Sequence, residues 1–261
     1  MPLRSAQRHN SNRARRATAE AERRAGADRR RSNAALAALA AILVVAAAVA
    51  LSTSKTRATA ATGAPVAGAA YSRALLAGIP QQGLVLGNPH APVQMVEFAD
   101  LQCPYCDEFA TQTLPQLILR YVRSGRVSIE FRNLSFIGAD SVRAARIAAG
   151  AAEQNKLWNF VDLMYLNQGT ENSGYVTATY LHRLLAAIPG LDVDRAERAS
   201  RLPEAAAALE SANQAAAASG VDATPSFLIG HTGDSLALFQ PSSLTPRAFA
   251  GELNKLIGGQ R

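Results

Sequence analysis

The chain has 261 residues, 48% of them apolar, which suffices for one or two packed domains. Its formal net charge of +7 invites a nucleic-acid reading, but residues 1–32 carry ten arginines against Glu20, Glu22 and Asp28, and the remaining 17 basic and 17 acidic residues cancel. The excess charge is one N-terminal tail on a neutral body, so no nucleic-acid partner is expected.

The basic tail, residues 1–33, is expected on the cytoplasmic side. It abuts Ala34 to Leu51, eighteen residues without a charged or polar side chain, barely the length of a helix that spans a bilayer core. Arginines before this stretch and almost none just after it predict a single-pass span in the cell membrane, with the body extracytoplasmic. The rival is a cleaved signal peptide, because Ala48-Val49-Ala50 fits an A-x-A cleavage pattern and cleavage would release a secreted protein. The charged region is longer than signal peptides usually carry, which favours the anchor. Arg29-Arg30-Arg31 is a weak twin-arginine candidate, and no cysteine follows the apolar stretch to take a lipid. Residues 52–82, small and polar at the start, read as a flexible linker with a span near ~30 Å. Within it, Ala74-Leu75-Leu76-Ala77-Gly78-Ile79 is a candidate docking stretch.

The body begins near residue 83. Leu84-Val85-Leu86, set among glycine and two prolines, suggests a short edge strand and a turn. Residues 93–99 are nearly continuously apolar, the signature of a strand buried on both faces. Glu97 is the exception; a carboxylate there is costly unless it serves a purpose or reaches solvent at the sheet end. The strand leads into Cys103-Pro104-Tyr105-Cys106. A helix from Pro104 to about Arg123 follows, with Phe109, Leu114, Leu117, Ile118 and Tyr121 at helical spacing and a kink expected at Pro115. Ser124-Gly125 ends it, and residues 127–131 alternate as a second strand, a β-α-β run suited to a right-handed crossover.

The next ninety or so residues lack a strand pattern. Helices are expected from Asp140 or Ser141 to Gly150, around Leu157, Phe160, Val161 and Met164, from Thr177 to Ile188, and from Pro203 to Gly220. Strands then return at residues 226–229 and 236–239, joined by a turn at 230–234. A closing helix carries Phe249, Leu253, Leu256 and Ile257, with Thr245 as N-cap and Pro246 at its first position. No internal repeat is visible.

Cys103 and Cys106 are the two cysteines of the chain, so they have only each other to pair with. Two cysteines two residues apart at a strand-to-helix junction are placed for redox chemistry. The partial positive charge of helix N-terminal amides favours a thiolate at the first of them. Cys103 is therefore the expected nucleophile, exposed and of low pKa, and Cys106 the shielded resolving thiol. Pro104 suits the first helical turn, where its missing N–H has no intrahelical partner to lose. A zinc site needs about four ligands, and His9, His90, His182 and His231 form no spaced pair, so neither a metal nor another cofactor is expected. A purely structural disulfide across so short a loop would stabilise little. An exported dithiol makes sense as a disulfide exchanger.

The order β-α-β, an all-helical insertion at about 134–220, and a β-β-α finish resembles the thioredoxin fold. With its insertion, the α/β body over residues 83–258 resembles the DsbA-like thiol–disulfide oxidoreductases, here preceded by one N-terminal transmembrane helix. The segments that carry the likeness are Gly87-Asn88-Pro89-His90-Ala91-Pro92-Val93, Glu97-Phe98-Ala99-Asp100-Leu101-Gln102-Cys103-Pro104-Tyr105-Cys106, Asn155-Lys156-Leu157-Trp158 and Gly220-Val221-Asp222-Ala223-Thr224-Pro225-Ser226-Phe227. The resemblance implies a cis Thr224-Pro225 bond lying against the cysteines, with the Thr224 backbone free to bind an extended substrate. It implies that Glu97, six residues before Cys103, is a buried acid that accepts or relays the proton of the resolving thiol. Pro104 and Tyr105 would tune the couple, and Tyr105 departs from the Pro-His of the most oxidising members. The expected protein is a membrane-tethered, monomeric disulfide donor to reduced or unfolded exported polypeptides, itself renewed by a membrane re-oxidase. A disulfide reductase or isomerase is the alternative, as is a peptide-binding holdase with an incidental dithiol; residues 52–82 are too short and polar to supply the dimerisation domain of known exported isomerases.

Overall fold

The computed structural model describes residues 65–259; the tail, the apolar span and the start of the linker lie outside it. Among the described residues no helix is long and apolar enough to cross a membrane. The central strand is β3 (Val93–Ala99), buried on both faces as its apolar run requires. It runs parallel to β4 (Val127–Asn133) and antiparallel to β5 (Ser226–His231). With β1 (Gln81–Gln82), β2 (Val85–Leu86) and β6 (Ala237–Phe239), the sheet has the order β1-β2-β4-β3-β5-β6. The strand expected at the edge, β2, is thus second from it, because Gln81 and Gln82 pair with Leu86 and Val85.

Alternation along β3 divides two apolar clusters. Val93, Met95 and Ala99 face a large core that includes Cys106, Phe109, Phe131 and Trp158. Val96 and Phe98 face a smaller one with Leu134, Ala212, Ala216 and Leu228. The β3–β4 crossover is a helical run, α2 (residues 104–122), in which α-helical turns alternate with π-helical turns at Phe109–Thr113 and Ile118–Val122. Pro115 accounts for the first of these. It has no N–H to give the carbonyl four residues back, and its ring crowds that carbonyl. The Leu114 N–H bonds the Phe109 carbonyl, five residues back, so the interruption expected at Pro115 takes the form of a widened register.

Between β4 and β5 come α3 (Ala139–Ala152), α4 (Leu157–Leu166), α5 (Ala178–Ala186), α6 (Val193–Ala199) and α7 (Pro203–Ala218), the expected helical insertion. The short α6 had no clear signal, since only Ala196 and Ala199 are buried on it; Asp192 caps it by accepting the Arg195 N–H at 2.9 Å. Gly150 lets α3 approach α6, because a Cβ there would lie 2.2 Å from the Ala196 carbonyl oxygen. The chain closes with α8 (Pro246–Gly258), whose Phe249 ring packs 5.1 Å from Phe109 and 4.9 Å from Phe227. Thr245 precedes α8 as expected, but its hydroxyl pairs with Ser243 at 2.9 Å and caps nothing.

The flexible linker expected over residues 52–82 is overturned from residue 65 onward. Residues 69–76 form a helix, α1 (Ala69–Leu76), and Leu75, Leu76 and Ile79 are buried in the main core. Burying these three apolar side chains outweighs the polar composition around them. The Asn167 side chain holds Ala67 on both sides, accepting its N–H at 3.1 Å and donating to its carbonyl at 3.0 Å. At the other end the Arg123 guanidinium donates to the carbonyls of Leu75 at 2.8 Å and Ala77 at 3.0 Å, closing the helix C-terminus. Arg123→Ala is therefore expected to lower stability by about 1–2 kcal/mol. It should also speed amide hydrogen exchange at residues 69–77 before the rest; uniform exchange across the domain would show that α1 is not separately docked.

Candidate active site

Cys103 stands at the junction where β3 gives way to α2. Its backbone is extended (φ −69°, ψ 124°), and its carbonyl accepts the Asp107 N–H at 3.1 Å, which makes it the N-cap with Pro104 in the first turn. Cys106 lies one turn in, fully buried. Thr224-Pro225 is cis, and the Thr224 carbonyl oxygen lies 3.5 Å from Cys103 Sγ. The structure thus brings Cys103, Cys106 and the Thr224-Pro225 loop together. It also corrects one expectation: Cys103 is not broadly exposed but only 6% accessible, because that loop covers it. Attack on Cys103 is confined to a narrow approach.

The two sulfurs differ in acidity far more than in burial. The Cys103 thiol is pushed down to about 6, chiefly by a hydrogen bond from Cys106, against the opposing effect of burial, with further help from Thr224 and the backbone of Cys106 and Tyr105. Burial pushes the Cys106 thiol well up, and its hydrogen bond to Cys103 and the nearby charges of Cys103 and Glu97 add to this.

Glu97 does not reach solvent. It is 1% exposed, on the face of β3 that carries Met95 and Ala99, and neither carboxyl oxygen has a hydrogen-bond partner among the described residues. Burial pushes its pKa up to about 8, so it holds a proton at neutral pH beside Cys106. Tyr105 is 65% exposed on the rim, and Phe136, 59% exposed, follows β4. The loop of Phe136 is tied to the cysteine loop by the Ile137 N–H, which donates to Asp100 Oδ2 at 3.2 Å. Among the described residues no group of His, Cys, Asp or Glu side chains is arranged to hold a metal.

The sequence reading missed the polar frame behind the cysteines. Asp100 Oδ1 accepts the Gln102 N–H at 2.9 Å and the Ser141 hydroxyl at 2.6 Å. Gln102 donates to Ser141 Oγ at 2.9 Å and accepts the Asn172 N–H at 2.8 Å. Gln168 donates to the carbonyls of Leu101 at 3.2 Å and Cys103 at 3.3 Å, and the Tyr165 hydroxyl donates to the Asp100 carbonyl at 3.2 Å. Asp100 and Gln102 could have been suspected, as polar residues in the run where Glu97 was singled out. Their partners on the insertion carry no such mark.

A strand ending in Cys-x-x-Cys at a helix start, opposed by a cis-proline loop and split by a helical insertion, defines a thioredoxin-fold redox domain. The chain belongs to the thioredoxin family: the family model described as "Thioredoxin" matches residues 80–235, more than half of the sequence. It is 36% identical over 115 residues to a Bacillus anthracis protein named "Probable disulfide bond formation protein D", covering 42% of this chain and 52% of that one. The chain thus spans about half the length of such curated relatives. The crystal structure of oxidised BdbD from Bacillus subtilis superposes with a TM-score of 0.59 at 21% identity, covering 69% of this chain and 98% of that one. Wolbachia pipientis α-DsbA1 gives the same TM-score and identity over 70% of this chain and 93% of its own. These structures show the same fold, insertion included.

Two outcomes follow from the titrating groups. The alkylation rate of reduced protein should rise with pH to a plateau with a midpoint near the Cys103 value of about 6. Tyr105→His should lower that midpoint by placing a cationic donor near the thiolate; an unmoved midpoint would show that the dipeptide does not tune the site. Folding raises the Glu97 pKa from 4.5 to about 8, so its contribution to stability is fully present below 4.5 and lost as pH rises through 8. Across that window stability should fall by up to about 1.4 kcal/mol per pH unit. Glu97→Gln should flatten the decline in denaturant titrations at several pH values, and an equal slope in both proteins would assign it to another group.

Proposed function

We propose that this chain is an extracytoplasmic thiol–disulfide oxidoreductase that donates its Cys103–Cys106 disulfide to reduced exported polypeptides. The carrying observation is the acidity gap between the sulfurs, with Cys103 near 6 at the covered mouth and Cys106 buried and well above its ordinary value. Stabilising the Cys103 thiolate stabilises the reduced form, which makes the disulfide a stronger oxidant. The names of the curated relatives, disulfide bond formation proteins, support the same reading.

A substrate thiolate attacks Cys103 Sγ. The Cys103–Cys106 bond breaks, and Cys106 leaves with the electron pair and takes up a proton, which Glu97 is placed to supply. A second substrate thiolate then attacks the substrate sulfur of the mixed disulfide, closing the substrate disulfide and expelling Cys103 as a thiolate. Two electrons have passed to the enzyme, and a membrane re-oxidase restores it. The Thr224 backbone beside Cys103 offers main-chain hydrogen bonding to an extended substrate segment. Ala34 to Leu51 would tether the domain to the membrane, with the basic tail behind it.

The test uses the unequal sulfurs. In Cys106→Ser a mixed disulfide on Cys103 has no neighbour to release it, so the variant should accumulate adducts with exported proteins on non-reducing gels, lost with reductant. Cys103→Ser should give almost none. Equal trapping by both would overturn the role assignment, and no trapping by either would sink exchange in favour of a holdase.

A further inference from the structure

A second cavity, of about 360 Å³, opens in the helical insertion and includes none of the cysteine-site residues in its lining. Arg143 and Arg146 reach it from α3, and Arg201 from the turn after α6; Ile147 and Leu181 supply apolar wall. Three arginines, whose guanidiniums stay charged at any physiological pH, thus line one small space. Their compensation is incomplete. Arg143 is bound to Asp140 and donates through Nε to the Val176 carbonyl at 2.9 Å. Glu197, the one acid in the lining, is engaged by His182 Nδ1 at 2.9 Å. The guanidiniums of Arg146, which is partly buried, and Arg201 have no hydrogen bond or ion pair among the described residues.

Like charges brought together by the packing of α3 against α6 repel, and the apolar wall lowers the local dielectric that would screen them. The group that relieves this is a compact anion with several oxygens. Planar guanidinium forks match the oxygens of a phosphate, with paired charge-assisted hydrogen bonds that a single point charge cannot make. We propose that this cavity binds a phosphate group, held by Arg146 and Arg201 with Arg143 as a third cation. The phosphate comes either from a free phosphate or from the phosphodiester head group of a lipid. The site is independent of the redox reading and stands or falls without it.

The full chain, purified in detergent, is titrated by calorimetry with inorganic phosphate and separately with glycerophosphoglycerol, a water-soluble phosphodiester head group, at fixed ionic strength. Saturable binding of at least one probe at one site per chain is expected. Arg201→Gln and Arg146→Gln should each weaken it roughly tenfold, and Arg201→Lys should recover only part. The Cys103 alkylation rate should stay unchanged throughout. Tighter binding of the diester assigns the site to lipid head groups, and tighter binding of inorganic phosphate assigns it to free phosphate. Absence of saturable binding by both probes overturns the proposal, as does equal affinity in the wild type and in Arg201→Gln. The Arg201 side chain is on the surface, so that variant decides the matter even if Arg146→Gln fails to fold.

Discussion

The site depends on where a helix begins. Cys103 is the last residue outside α2 and Cys106 the third residue within it. The first therefore meets unpaired amide groups that stabilise negative charge, and the second meets a helix interior and an apolar core that do not. Moving the helix start by one residue would take Cys103 out of the N-cap position and away from the amides that favour its thiolate. Pro104 resists such a shift, because it is comfortable in the first turn and cannot sit deeper without removing a backbone bond.

That helix start is held from behind. The Cys103 N–H donates to the Asp100 carbonyl at 3.0 Å, and the Asp100 carboxylate is held by Ser141 of α3 and by the Gln102 and Ile137 amides. Tyr165 and Gln168, at and just past the end of α4, bond the carbonyls of the same loop. The insertion is thus part of the active-site scaffold. The contacts from Ser141 and Tyr165 are buried, where a satisfied network rigidifies and a broken one is expensive.

What could be read from the sequence followed periodicity. The both-face burial of β3, the crossover to β4 and most of the insertion's helices all rest on patterns of adjacent residues. What escaped depended on distant partners. The length of the coil leading into the domain was misjudged because the docking of α1 relies on Arg123 and Asn167, which follow it by dozens of residues. The helix α6 escaped because its fully buried side chains are two alanines, with Val193 only half-buried, and its fit to α3 requires Gly150. The exposure of Cys103 was overstated because the loop that covers it comes 121 residues later.

Glu97 connects these observations. Oxidising the reduced pair removes two electrons from a Cys103 thiolate and a Cys106 thiol, and the Cys106 proton must leave a site sealed from water. Among the described residues Glu97 is the carboxyl whose charge bears on Cys106. With its pKa raised to about 8, Glu97 is mostly protonated at neutral pH, and under the proposed exchange its minor ionised form would accept the Cys106 proton without a lasting charge in the core. A carboxyl at the ordinary value would be ionised almost always and would hold Cys106 still more firmly protonated. A neutral amide could accept nothing. Burial alone lifts the Glu97 carboxyl to about 8, and its charge adds to the burial and the Cys103 contact that hold the Cys106 proton. Under the proposed exchange the same burial would keep the acid near neutral beside the thiol it serves.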